Sequence, residues 1–310
     1  LATGRPSTKD VLRIAYHPSY SHPLPEGHRF PMQKYELLPE QMLHEGSCSS
    51  ANFFEPSLPP DEAITAIHEP AYFDNLKQLN LQPHEVRKIG FPLSKQLVER
   101  ERIIAGGTMK CCDYALAHGI AMNIAGGTHH AFSNRGEAFC MLNDQAIGAR
   151  YLQKKGLARK ILIVDLDVHQ GNGTAGIFSG DPSVFTFSMH GGQNYPFKKE
   201  CSDLDIPLKK GTGDLEYLSM LKHNLPRLID EVAPDFIFYL CGADVLESDK
   251  LGTLSLSLQG CRERDRFVLE CCHNNNIPVQ CSMGGGYSPE IRTIVEAHAN
   301  TFRVAQWMYF

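Results

Sequence analysis

The sequence predicts one α/β domain over residues 1–310, with a mostly parallel β-sheet covered by helices on both faces. Three observations carry this. From about residue 95, short apolar runs alternate with helix-length stretches, the pattern of βαβ units. No internal repeat or low-complexity linker divides the chain. With 310 residues, 42% hydrophobic and 21% charged, the chain is long enough to bury a large core and is not too long for one wide sheet.

The elements follow in order. A first strand is expected at Val11–Tyr16. Residues 17–60 are rich in Pro, His and polar side chains and read as irregular; residues 17–95 as a whole read as added loops and helices. Helices are expected at 95–118, 142–156, 214–231, 260–275 and 289–304. Strands are expected at Ile120–Ile124, Ile161–Val164, Val184–Phe187, Phe236–Leu240 and Ile277–Gln280.

Composition excludes several classes. A net charge of −5 lacks the basic footprint of a nucleic-acid binder, so no direct nucleic-acid partner is expected. No apolar run approaches the roughly 18–20 residues of a membrane span. The ten cysteines form no C-x-x-C pair, and their spacing suits a reducing compartment better than a disulfide framework. No signal peptide is visible, and a cytoplasmic protein is expected. The chain begins at Leu1, so a removed leader would leave a nucleus or an organelle open. The oligomeric state is open too.

In open α/β sheets ligands bind beyond the carboxyl ends of the strands, so the active site is expected there. The segments at those ends are Ala125-Gly126-Gly127-Thr128-His129-His130, Asp165-Leu166-Asp167-Val168-His169, Ser188-Met189-His190, Gly242-Ala243-Asp244 and Met283-Gly284-Gly285-Gly286-Tyr287. Each carries a His, Asp, Ser or Tyr that a purely structural loop would not require. Asp165, Asp167 and His169 alternate at period two, so an extended strand would point all three to one face. Two carboxylates and an imidazole side by side are costly unless a cation joins them. With Asp244 from another strand, the set suits zinc or a similar divalent ion with a position open for water. His129 and His130 become an acid/base pair beside such a site, with Asp165 and Asn172 available to orient their rings. Tyr287, after three glycines, could donate a hydrogen bond to a developing oxyanion.

Gly171-Asn172-Gly173-Thr174-Ala175-Gly176 fits the dinucleotide pattern G-x-G-x-x-G. Asp165 and Asp167 just upstream would repel a pyrophosphate, and no acidic residue ends a strand at the expected distance. The chain has no P-loop and no G-x-S-x-G nucleophile elbow.

Taken together, the motifs resemble those of histone deacetylase-type amidohydrolases of the arginase/deacetylase fold. The resemblance runs from about Tyr16 to about Pro289. It rests on G-G-T-H-H-A (126–131), F-C-M-L-N-D (139–144), V-D-L-D-V-H-Q-G-N-G-T (164–174), G-A-D (242–244) and G-G-G-Y (284–287), in the family's order. Asn172 within H-Q-G-N-G, and the stretch from His22 to Pro31, are similar to the class IV branch and its bacterial relatives.

The resemblance implies that Asp167, His169 and Asp244 hold one Zn²⁺ per chain. It implies that His130 is the general base and acid, that Asp165 orients His129, and that Tyr287 stabilises the oxyanion. Asp165, Asp167, Ser188 and the carbonyls of His169 and Met189 would form a structural K⁺ site. Phe139, with Tyr195 or Phe197 opposite, together with Leu251 and Gly285, would line the acyl-lysine tunnel. The expected partner is an acyl-lysine protein or peptide.

Two departures bear on this. Asn172 stands where many relatives carry Asp; a neutral amide supports a charged His130 less but can still orient it. Leu251 stands where polyamine-specific relatives place Glu, which favours acyl-lysine over a polycationic amine. The expected function is zinc-dependent hydrolysis of N6-acetyl-lysine or a longer acyl-lysine. The alternatives are a deacetylase of acetylpolyamines or another small N-acyl amide, and a non-catalytic acyl-lysine-binding corepressor subunit. An arginase-like two-metal site is disfavoured because Gly171 stands where D-x-H-x-D needs its last Asp.

Overall fold

The computed structural model describes residues 11–310; the first ten residues of the expected domain lie outside it. The strands are β1 (Arg13–Ala15), β2 (Phe53–Phe54), β3 (Ile120–Asn123), β4 (Ile161–Asp165), β5 (Val184–Gly191), β6 (Leu204–Leu208), β7 (Phe236–Leu240) and β8 (Val279–Ser282). They form one 8-stranded sheet in the order β2-β1-β3-β8-β7-β4-β5-β6, every neighbouring pair parallel. The central strands Ile161–Asp165 and Phe236–Leu240 are buried at every residue, because helices cover both faces of a parallel sheet. Those helices are α1 (Lys34–His44), α2 (Asp61–Ile64), α3 (Pro70–Lys77), α4 (Pro83–Ile89), α5 (Lys95–His118), α6 (Asp144–Lys154), α7 (Asn172–Phe178), α8 (Asp214–Val232), α9 (Leu258–Asn274) and α10 (Ile291–Tyr309).

Helices α5, α6, α8, α9 and α10 lie where the periodicity places them. For α5 the boundaries are physical: the Ser94 side chain accepts the Leu97 N–H at the start, and Gly119 at φ 85° ends it. Four differences are informative. The stretch read as irregular contains α1, which buries Tyr35, Leu38 and Met42; Pro39 inside it hides the helical pattern. β8 begins two residues after the expected start, because the Ile277 N–H closes α9 by bonding Cys272 O and Pro278 has no N–H to give. β5 runs on to Gly191, so Ser188 and Met189 lie inside a strand. The edge strands β2 and β6 are short and weakly patterned, and β6 carries Pro207, which an edge tolerates.

Strands β3, β8, β7, β4 and β5 are consecutive across the sheet, so their carboxyl ends form one rim. The segments singled out above leave the sheet along that rim.

Candidate active site

β4 ends at Asp165, and the chain then bends. The period-two expectation needs an extended strand, and the strand stops at Asp165: residues 167–169 form a bend. Two successive side-chain turns replace the strand. The Asp167 N–H bonds Asp165 Oδ1 at 3.1 Å, and the His169 N–H bonds Asp167 Oδ1 at 3.0 Å. Asp165 is thereby turned toward His129, while Asp167 and His169 turn toward Asp244.

These last three converge. His169 Nδ1 lies 3.0 Å from Asp167 Oδ1 and 3.2 Å from Asp244 Oδ2, and one ligand atom from each lies within 4.8 Å of the others. Backbone holds both carboxylates: besides the His169 N–H on Oδ1, Gly285 N–H donates to Asp167 Oδ2, and Val168 N–H donates to Asp244 Oδ1. Asp244 Oδ2 is buried and accepts no hydrogen bond among the described residues. An orphaned, buried carboxylate oxygen beside a second carboxylate and an imidazole fits a divalent cation. Gly285 belongs to this cradle, because a Cβ there would strike the carboxylate oxygens of Asp244 and Asp167. Burial disfavours charge on His169, but the two carboxylates outweigh it and its pKa is pushed up to about 10. Burial and the neighbouring Asp167 raise the pKa of Asp244.

The tandem histidines stand beside the triad with ring centroids 4.1 Å apart. His129 Nδ1 pairs with Asp165 Oδ2 at 2.6 Å, and His130 Nδ1 with Asn172 Oδ1 at 2.6 Å. The two rings are pushed in opposite directions. Burial opposes charge on His129, but Asp165 and Asp167 prevail and raise its pKa. Burial, then the cationic neighbours His129 and His169, drive His130 well below the ordinary imidazole value. Divergent environments for adjacent titratable groups are how one site supplies an acid and a base. Gly173 explains part of the decoy motif: a Cβ there would meet the backbone of His130 and Ala131, so glycine lets α7 pack against the histidine loop.

A cavity of about 390 Å³ leads from the histidines to the surface and is lined by Phe139, Tyr195, Phe197, Leu251 and Tyr287 among others. Phe139 is held at φ 68° by its N–H to Ile89 O and packs on Phe30, Phe91 and Tyr287. Tyr195 stands edge-on to His130 at 5.0 Å, whereas Phe197 is 91% exposed at the mouth. Tyr287 lies 6.5 Å from His169, ring to ring. Burial and the negative field of Asp244 and Asp167 keep the Tyr287 hydroxyl protonated. Asp165 and Ser188 are register partners on β4 and β5, and Ser188 and Met189 are buried.

Sequence reasoning missed the residues that hold these groups. Asp144 accepts the Gly127 and Thr128 N–H groups at 2.9 and 3.0 Å and so shapes the histidine loop. Asp249 accepts the N–H groups of Tyr287, Leu251 and Gly252. Lys34, 1% exposed, donates to Gly284 O at 3.1 Å, and burial lowers its pKa to about 8. Asp144 closes the F-C-M-L-N-D run, a signal available in the sequence; Asp249 and Lys34 had none.

The histone deacetylase domain family matches residues 28–302. The chain belongs to the histone deacetylase family. It is 46% identical over 296 residues to an uncharacterized protein of Picosynechococcus sp., spanning 96% of this chain and 99% of that protein. It is 28% identical to Histone deacetylase 2 of Arabidopsis thaliana (89% of this chain, 74% of the relative). It is 27% identical to the acetoin utilization protein AcuC of Staphylococcus aureus (84% and 73%). The solved HD domain of HDA15 superposes with a TM-score of 0.79 at 19% identity, over 94% of this chain and 90% of that one, which establishes the fold. This histone deacetylase family member is therefore a hydrolase of the deacetylase type, in a family that is zinc-dependent in general and acts on acyl-lysine. These matches name the family and not a branch within it. No helix among the described residues is long and apolar enough to cross a membrane.

Proposed function

We propose that this chain hydrolyses N6-acetyl-lysine, or a longer acyl-lysine, in proteins or peptides, with the whole sheet and its helices acting as one catalytic domain. One observation carries the reading: a buried Asp167–His169–Asp244 set with an unsatisfied carboxylate oxygen stands beside two oppositely tuned histidines at the inner end of an aromatic-lined cavity. Zinc held by those three side chains would supply Lewis-acid polarisation of the amide carbonyl and a more acidic water.

The remaining steps belong to the protein. His130, kept neutral by burial, takes the proton of the attacking water. Tyr287 donates its hydroxyl hydrogen to the oxyanion of the tetrahedral intermediate. His129, whose protonated form Asp165 and Asp167 favour, biases the neighbouring His130 toward passing the proton on to the leaving lysine amine. Phe139 and Tyr195 exclude water from the alkyl chain. A K⁺ ion on Asp165, Asp167, Ser188 and the carbonyls of His169 and Met189 would offset the buried carboxylates next to the triad.

Against an acetylpolyamine, the charged side chains lining the cavity are Arg29 and Lys88 besides its histidines, and Leu251 sits among them. A polycation would meet like charge there. The test is release of acetate and longer acyl groups from an acyl-lysine peptide panel, with acetylpolyamines and a small N-acyl amide alongside. Zinc-loaded protein should turn over acyl-lysine and stop on chelation; full zinc occupancy with peptide binding and no turnover would favour the binding-subunit alternative. In the same assay Tyr287→Phe should lose about 10²–10³ in kcat with KM little changed.

A further inference from the structure

Asn172 poses a problem that the surrounding residues solve. An amide can face a histidine with its oxygen or its nitrogen, and the choice decides where the imidazole proton sits. With the oxygen toward His130 Nδ1, that nitrogen must carry the proton, and Nε2 is left free to accept one. With the amide reversed, Nδ1 becomes the acceptor and Nε2 carries the proton, so the ring cannot serve as a base. An Asp at this position would accept in either orientation; Asn needs something to select it.

Glu137 stands on the far side of Asn172. Asn172 Nδ2 points at Glu137 Oε2 at 3.4 Å while Asn172 Oδ1 lies 2.6 Å from His130 Nδ1. Glu137 is itself fixed: Tyr195 OH donates to Oε2 at 2.6 Å and Arg135 Nε donates to Oε1 at 2.8 Å. The Arg135 guanidinium rests on the Phe132 ring, 3.5 Å from its centroid. Burial works to raise the Glu137 pKa, but these donors prevail and keep it below the usual carboxylate range. An ionised carboxylate only accepts, so only the NH₂ of Asn172 can face it.

We propose that Glu137 is a positioning residue that sets the tautomer of His130 by fixing the orientation of Asn172. The inference rests on the reading of His130 as the base. It also gives Tyr195 a second role, because one hydroxyl ties the cavity wall to the partner of the base.

The test uses zinc-loaded, ¹⁵N-histidine-labelled protein, with His130 assigned by its absence from a His130→Ala spectrum. The wild type should show His130 protonated on Nδ1. Glu137→Ala should show a mixed or reversed tautomer, with kcat down roughly tenfold to a hundredfold and KM and zinc content near wild type. Asn172→Asp alone sets a second carboxylate against Glu137 and should lose activity. The double variant Glu137→Gln/Asn172→Asp should recover at least about tenfold over Asn172→Asp, because an Asp needs no selector. An unchanged His130 tautomer in Glu137→Ala overturns the proposal, as does a double variant whose losses simply multiply. If Glu137→Ala fails to fold, Glu137→Leu replaces it, which offers Asn172 no acceptor while the backbone bonds of Glu137 with Cys140 remain. A wild type that binds zinc but leaves acyl-lysine intact defeats the functional reading, while the tautomer spectrum still decides the role of Glu137.

Discussion

Two of the charged clusters buried among the described residues are built in opposite ways. Behind the sheet rim, Arg264 and Asp265 are both fully buried and carry one charge of each sign, with Arg264 Nη2 2.8 Å from Asp265 Oδ1. Arg264 Nε donates to Asp265 Oδ1 at 2.8 Å, and its Nη1 donates to the carbonyls of Leu166 and Gly242. Asp265 also receives the hydroxyls of Tyr239 and Thr301. The Asp167–His169–Asp244 cluster on the other side of those same carbonyls has two carboxylates for one imidazole, and an oxygen with no donor. A buried cluster whose charges cancel is scaffolding. One that leaves charge over awaits a ligand. Arg264 joins the two, because its guanidinium ties the backbone preceding Asp167 to that preceding Asp244.

The sharpest way to break the comparison is to neutralise one carboxylate in each. Asp244→Asn should lower turnover by at least about 10³-fold and abolish stoichiometric zinc. It should move the Tm of the metal-free protein by only a few degrees, because relieved repulsion with Asp167 and lost attraction to protonated His169 oppose each other. A metal-free Tm that falls by many degrees would make Asp244 a structural residue. Arg264→Met should do the reverse to the fold. Leaving Asp265 buried without its cation is expected to cost roughly 3–5 kcal/mol, read as a shift of the denaturation midpoint. An Arg264→Met protein of wild-type stability would sink the division drawn here.

That division also explains what could be read in the sequence. The ligand cluster is legible because its residue types are improbable where they occur: Asp167, His169 and Asp244 follow apolar strands, and His129-His130 and Tyr287 follow glycines. The strands and long helices are legible because burial on both faces forces continuous apolar runs. The supporting residues are not. Asp249 and Glu137 are ordinary side chains in loops and Lys34 is one at the start of a helix, and they act on groups far away in the chain. Lys34 meets the carbonyl of Gly284, 250 residues on. Arg264 and Asp265 sit adjacent on a helix where a charged pair normally marks a solvated face; only the packing of α9 reveals that both are buried. The curl after Asp165 was hidden for a related reason: side-chain oxygens capping backbone N–H groups leave the alternation of residue types intact while destroying the strand.

A smaller effect follows from proton occupancy. With its pKa raised to about 10, His169 is protonated in the metal-free protein at neutral pH, so zinc must displace a proton to bind. Calorimetry in buffers of different ionisation enthalpy should show release of at least one proton per zinc at pH 7. Apparent affinity should rise roughly tenfold per pH unit below that pKa. Stability should follow the same group. A histidine whose folded pKa exceeds its unfolded value of about 6.5 stabilises the fold below that pH and loses the contribution as pH rises toward 10. The metal-free Tm should therefore decline through this window, while the zinc-loaded Tm does not. The Arg264 cluster, whose cation does not titrate in this range, has no counterpart. Zinc binding without proton release would show that the free site is already deprotonated and that its charge imbalance is larger still.

The last prediction concerns the open end of the unbalanced cluster. The scaffold pair has no path to solvent, whereas the triad communicates through the cavity with a mouth carrying Arg29 and Lys88. Both side chains are exposed, and neither makes an ion pair with another described residue. The guanidinium of Arg29 stands 5.0 Å over the Phe139 ring, and both residues line the cavity. Flanking acids on the substrate should therefore be drawn to the mouth and flanking bases repelled, even though the chain as a whole carries −5. Exposed charges act weakly through water and salt, so each cation is expected to contribute up to about fivefold. Matched acyl-lysine peptides with Asp, Gly or Lys on either side should rank in that order in kcat/KM. The spread should narrow at 0.5 M salt and in Arg29→Ala/Lys88→Ala. The reverse order, or a spread indifferent to salt, would mean that the mouth does not read charge. In that case the negative field of the triad, rather than the two cations above it, would govern what enters, and basic tails would be the better substrates.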